Sequence, residues 1–177
     1  MNLKTIKTER LILRRLTPED YNYMFEHFSK EDIMQLLGHT SDEEFLKEKS
    51  KYEKGYATHN RSFALFQIID KASMTIIGGC GFHNWYPDHR RAEIGYNLKT
   101  DDFKKKGIMT EALKAIIDYG FTTMKLHRIE ALVGTENIPS LKLMEKFGFI
   151  KEGVLKEHYY IDNTFVDSVL FGKLSQE

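Results

Sequence analysis

Residues 104–111 read Lys-Lys-Lys-Gly-Ile-Met-Thr-Glu, three cations and a glycine directly ahead of an apolar helix pattern. The first turn of a helix presents unpaired backbone N–H groups and a partial positive charge. That suits a phosphate-bearing ligand where a glycine lets the backbone come close. Lysines there oppose the helix dipole unless an anion offsets them. A solvated charged loop at a helix entrance is the plainer reading, and the spacing leaves both open. Glu93, in Ala-Glu-Ile-Gly-Tyr, is an acid in the middle of a strand pattern. It costs free energy unless it faces a cleft, as a general base would, or is paired with Arg90, Arg91 or Arg128. Ser140 can supply a proton or cap the helix that begins nearby. Tyr159 and Tyr160 are alternative proton donors, or strand packing residues.

Other constellations point away from chemistry. His83 and His89 have no partnering cysteine or third histidine, so no metal site is expected. Cys80, the single cysteine, sits between glycines in an apolar run and reads as a small core residue. No Gly-x-x-x-x-Gly-Lys-Ser/Thr motif occurs, and Gly-Gly-Cys-Gly-Phe lacks the spacing of a dinucleotide fingerprint.

The elements that must hold these residues follow from periodicity. Residues 10–16 read as a strand; Thr17, Pro18 and Asp20 then open a helix to about residue 29. Ser41 and Glu44 open a second, mostly polar helix reaching about His59. Three strands follow at 62–69, 75–85 and 92–98, joined by short turns as in an antiparallel meander. The period then changes to that of a helix running to about Lys125, with Met109, Ala112, Leu113, Ile116, Ile117 and Gly120 on one face. A strand at 127–133, a short helix opened by Pro139 and closed by Gly148, and a long hairpin turning at Asp162-Asn163 complete the chain. The order β-α-α-β-β-β-α-β-α-β-β defines an α/β fold: a mixed, mostly antiparallel central sheet with helices on both faces, and one domain over residues 1–177.

With 26 Lys+Arg against 26 Asp+Glu, the chain has no global pull toward nucleic acid or an anionic membrane. No window approaches the ~20 apolar residues of a membrane helix. One cysteine and no apolar leader make the cytoplasm the expected location.

Taken in order, Thr-Glu-Arg-Leu-Ile-Leu-Arg-Arg-Leu-Thr-Pro-Glu-Asp, Ala-Glu-Ile-Gly-Tyr-Asn-Leu, the Lys-x-x-Gly-x-x loop and Asn-Ile-Pro-Ser-Leu-Lys-Leu-Met-Glu-Lys-Phe-Gly-Phe resemble the GNAT superfamily of acetyl-CoA-dependent N-acetyltransferases. Within it they are similar to the subfamily that acetylates ribosomal-protein N-termini. The resemblance runs from Thr8 to Leu174. It implies acetyl-CoA as cosubstrate, its pyrophosphate on the backbone of Lys104, Lys105, Lys106, Gly107, Ile108 and Met109, with Thr110 beside it. Its pantetheine arm would lie between two strands that splay apart, held by Asn137, with Ser140 near the thioester sulfur and a backbone N–H near Leu98 facing the oxyanion. Lys104 and Met109 depart from the family's usual Arg or Gln and its Gly or Ala. The reaction implied is acetyl transfer to a primary amine, a protein N-terminus or a small molecule, by direct attack in a ternary complex. A non-catalytic acyl-CoA-binding sensor or interaction module is the alternative. The aromatic edge Tyr159, Tyr160 and Phe165 could pair two chains into a homodimer.

Overall fold

The computed structural model describes residues 1–58 and 60–176. One eight-stranded sheet organises them. The strands are β1 (Thr5–Lys7), β2 (Leu11–Leu16), β3 (Ser62–Asp70), β4 (Ile76–Tyr86), β5 (Arg91–Leu98), β6 (Arg128–Gly134), β7 (Ile150–Ile161) and β8 (Thr164–Leu174). Their order across the sheet is β1-β2-β3-β4-β5-β6-β8-β7, and every pairing is antiparallel except β5 with β6. The helices are α1 (Pro18–His27), α2 (Lys30–Leu37), α3 (Asp42–Lys54), α4 (Ile108–Thr122) and α5 (Ile138–Lys146). This is the mixed sheet with helices on both faces that the sequence predicts.

Three boundaries differ from the expectation. The helix expected over 18–29 stops at His27, and α2 follows at once. It is an eight-residue helix capped by Ser29 and closed by Gly38 in the left-handed region, too short and polar to declare a period. The polar helix α3 ends at Lys54, before Gly55, and His59 lies outside the described residues. Three N-terminal residues add β1, paired to β2.

Each face of the sheet has its own core. Leu11, Leu13, Phe66, Ile68 and Phe82 meet Ala112, Leu113 and Ile116 of α4 and Met144 of α5. Leu16 meets Tyr21 and Met24 of α1 and Ile33 and Leu37 of α2 on the other face. A Cβ at Gly120 would lie 2.6 Å from Phe82 Cζ, so glycine lets α4 settle directly on β4. That contact fixes where the N-terminus of α4 falls relative to the end of β5. The C-terminal hairpin turns on Asp162 and Asn163, both at positive φ, as a two-residue hairpin requires.

Candidate active site

Strands β5 and β6 pair at only three positions, Arg91 with Arg128, Ala92 with Ile129 and Glu93 with Glu130. Beyond Glu93 they separate, while β6 stays bonded to β8 as far as Gly134. The edge of β5 from Ile94 to Leu98 is therefore left without a strand on that side. A cavity of about 550 Å³ opens beside it, lined by Tyr96, Leu98, Lys104, Lys105, Gly107–Thr110, Asn137 and Ser140 among others. Every expected cosubstrate-loop residue but Lys106 lines this cavity.

The loop end of the cavity lies at the N-terminus of α4. The four other α-helices carry side-chain caps, from Thr17, Ser29, Ser41 and Asn137. The N-cap of α4 is Gly107, at φ 75°, which offers no side-chain acceptor. Its first-turn N–H groups are open to the cavity and the dipole adds to them. Lys104 is drawn toward Asp101, 2.5 Å away, while Lys105 takes a left-handed conformation at φ 58°. A further cation went unnoticed in the sequence. Arg10, just before β2, donates from Nη1 to the Lys106 carbonyl at 2.9 Å and from Nε to Glu111 at 2.7 Å. Glu111 also accepts from the Arg10 backbone N–H and the Thr8 hydroxyl. Burial raises the Glu111 pKa, but these bonds outweigh it and hold the carboxyl below its ordinary range.

The opposite end holds Glu93. A smaller cavity of about 180 Å³, lined by His83, Glu93, Tyr96, Asn137 and Ser140, shares Tyr96, Asn137 and Ser140 with the first. The two are ends of one cleft. The arginines expected to pair with Glu93 do not: Arg91 and Arg128 both bind Glu130, at 2.9 and 2.7 Å. Glu93 instead takes Asn84 Nδ2 at 2.9 Å and His83 Nε2 at 3.1 Å, and its side chain is 12% exposed. Burial pushes its pKa up, yet the bonds from His83 and Asn84, with charge from His83 and His158, leave it below the usual carboxylate range. The carboxylate is thus ionised at neutral pH. His83 faces Glu93 across the β4–β5 ladder, a register that a bulge between His83 and Tyr86 hides from sequence order.

Ser140 is not the helix cap. Asn137 is, accepting from the Ser140 N–H at 3.3 Å, so the Ser140 hydroxyl is left to the cleft. Beside it stands Tyr96, whose hydroxyl is buried and makes no hydrogen bond among the described residues. Burial raises the pKa of that hydroxyl, and neighbouring Ser140 only partly offsets the rise. Tyr159 sits near enough to Glu93 to feel its charge, brought there by the bulge in β7 between Leu155 and Tyr159. Tyr160 is 62% exposed on that edge strand, against Phe165 at 4.8 Å, and does not line the cleft. Cys80 is buried and its thiol pKa is pushed far up, so it is inert. Among the described residues no group of three or more His, Cys, Asp or Glu side chains could hold a metal, and no helix is long and apolar enough to cross a membrane.

A parallel strand pair parts beside an uncapped helix, with a polar cluster at the far end of the cleft. Comparison with known proteins gives the family. The acetyltransferase (GNAT) domain matches residues 10–150, and the chain belongs to this family of N-acetyltransferases, which use acetyl-CoA. It is 34% identical over 182 residues to the uncharacterized N-acetyltransferase p20 of Bacillus licheniformis, covering 99% of this chain and 98% of that protein. It is 26% identical to the spermidine N(1)-acetyltransferase of Escherichia coli K12, over 89% of this chain and 82% of that one. The fold is shared with the ribosomal-protein-S5-alanine acetyltransferase of Vibrio fischeri, at TM-score 0.70, 24% identity and 98% of both chains.

Proposed function

We propose that the chain, as one acetyltransferase domain over residues 1–177, moves the acetyl group of acetyl-CoA to a primary amine, with a protein N-terminus preferred. The carrying observation is the cleft itself: an uncapped helix N-terminus at one end and the Glu93–His83–Asn84 cluster at the other, joined past Tyr96, Asn137 and Ser140.

In this reading the pyrophosphate rests on the backbone of residues 104–109, with Thr110 and Arg10 beside it. The pantetheine arm fills the gap beside β5 as an added strand would, and Asn137 holds it with the amide nitrogen its capping role leaves free. Glu93, ionised, takes the proton that the amine sheds as it attacks, directly or through one water. The neutral nitrogen attacks the thioester carbonyl, and a backbone N–H near Leu98 receives the charge that develops on oxygen. When the carbon–sulfur bond breaks, the thiolate takes a proton from Ser140, beside Tyr96, and the Ser140 hydroxyl is restored by the proton that Glu93 took from the nitrogen, returned through water in the cleft. The exposed apolar residues of the β7–β8 hairpin, Tyr160 and Ile161 on edge strand β7 and Phe165 on β8, favour pairing of two copies along that edge.

The test is incubation with acetyl-CoA and three acceptors: a peptide with a free N-terminus, the same peptide blocked, and spermidine. The expected result is thiol release with an acetylated product from the free peptide only. Binding of acetyl-CoA with no product from any amine would overturn the reading in favour of an acyl-CoA-binding module.

A further inference from the structure

A third cavity, of about 280 Å³, lies on the α1–α2 side of the sheet and belongs to neither end of the cleft already described. It shares Tyr96 and Asn97 with the cosubstrate cavity and Gly95 and Tyr96 with the Glu93 cavity. It therefore opens at the point where the two ends meet. Its walls are mostly apolar, from Leu16, Tyr21, Leu37 and Leu65; its floor is Gly79, which brings no side chain into it, and at its rim Gly95 lies under the His83 ring. That volume sits at the lower edge of the ~300–1,000 Å³ typical of ligand pockets, so it takes a fragment of a molecule.

No carboxylate lines it. The acids whose charge reaches His39 are committed elsewhere: Glu48 to Tyr56 and Lys51, Glu44 to the backbone and hydroxyl of Thr40. Gln67 is held between Arg14 and the Leu36 carbonyl. Burial lowers the His39 pKa, against the pull of Glu44 and Glu48, so that ring is neutral at neutral pH. The single charge on the lining is cationic, Lys99, which donates to the Gly38 carbonyl at 2.7 Å. A second ammonium would find no partner here and would lose its hydration on entry.

We propose that the acceptor carries one compact apolar group next to its reactive amine, as a peptide beginning with leucine or phenylalanine does, and that it is not a polyamine. This rests on the transfer reading above and names the substrate class for that site. The spacing fits. Gly95 and Asn97 stand two and four residues beyond Glu93 on the same strand face, about 7 and 13 Å away at ~3.3 Å per residue. An amine at Glu93 thus brings its first side chain to the rim of the cavity at Gly95, where it must pass the His83 ring, 2.9 Å from the Gly95 Cβ position.

The experiment compares kcat/KM for peptides differing only in their first residue, leucine or glycine, and for spermidine. An apolar group seated in such a pocket is worth roughly 10- to 200-fold, so leucine should exceed glycine by at least about 10-fold and spermidine by more. Gly79→Leu fills the floor: its Cβ would meet the Phe66 carbonyl at 3.6 Å and Asn97 Oδ1 at 3.3 Å, a contact from which the Asn97 side chain must draw back by a few tenths of an ångström. In that variant the leucine-to-glycine ratio should collapse toward one while acetyl-CoA affinity holds. Spermidine turnover matching that of the leucine peptide overturns the proposal and leaves the transfer reading intact, as does a ratio unchanged in folded Gly79→Leu. If that variant does not fold, the wild-type ratios alone decide. Acetyl-CoA binding without transfer to any amine overturns the transfer reading and this inference with it.

Discussion

Replacing Glu93 with glutamine removes a charge and keeps the shape. The amide oxygen can still accept from Asn84, which now bonds Oε2 at 2.9 Å, while the amide nitrogen takes the place of Oε1, 3.1 Å from His83 Nε2. The folded state loses only the ionic part of a pair whose histidine is 42% exposed. Solvent screening holds that to ~0–1 kcal/mol, a fall in Tm of no more than about 4 °C for a chain this size. Catalysis loses far more. A positioned base contributes about 10²–10⁴-fold, or ~2.7–5.5 kcal/mol at 1.36 per tenfold. Thiol release should therefore fall at least about 100-fold with acetyl-CoA affinity nearly unchanged by calorimetry. The pH dependence gives a second check. Because the Glu93 pKa lies below the ordinary carboxylate range, it stays ionised from pH 6 to 9. The rising limb of kcat/KM then belongs to the amine acceptor losing its own proton, and Glu93→Gln should lower the whole profile by a constant factor. A loss below about threefold in a well-folded variant would refute Glu93 as the base. A wild-type limb that disappears in the variant would instead place the titration on Glu93 itself and overturn its being ionised throughout that range.

Gly107→Asp should leave circular dichroism intact and weaken acetyl-CoA at least about tenfold, by setting a carboxylate where the pyrophosphate is proposed to rest; unchanged affinity in calorimetry would reject that loop. Ser140→Ala is expected to slow turnover about tenfold or more with little change in acetyl-CoA affinity, and Tyr96→Phe to do the same more weakly; equal losses in rate and affinity would mark both as structural. For stability, the depressed pKa of Glu111 means its contribution is present above the unfolded carboxylate value of ~4.3 and disappears as pH falls through the folded one. Glu111→Gln should accordingly lower Tm at pH 7 and make little difference near pH 3, and an equal loss at both would show that the charge is not responsible.

Much of the fold is legible because its signals are local. The capping box of Thr17 and Asp20, the change of period at residue 108 and the paired turn residues Asp162 and Asn163 each lie within a few residues. What escapes are relations between distant segments. Arg10 and Glu111 meet across 101 residues of chain, and His83 meets Glu93 only through a ladder register. The competing role for Ser140 was visible, but which residue caps α5 was not, because asparagine and serine cap equally well and both stand near its start. The helix α2 hides because eight residues give barely two turns of pattern. The apolar cavity beneath α1 and α2 has no sequence signature at all, being made of gaps left by glycines on two strands.

The seam between β5 and β6 has a mechanical consequence. Three paired positions are all the sheet bonding that joins β1 through β5 to the β6-β8-β7 block, so the molecule is two half-sheets on a short hinge. A ligand that bonds along the open edge of β5 would act as the missing strand and splice the halves together. Saturation at 100 times Kd would add about 2.7 kcal/mol to the folded state. That gain should be concentrated at the hinge, where amide exchange on Ile94 to Leu98 and Ala131 to Val133 would slow most.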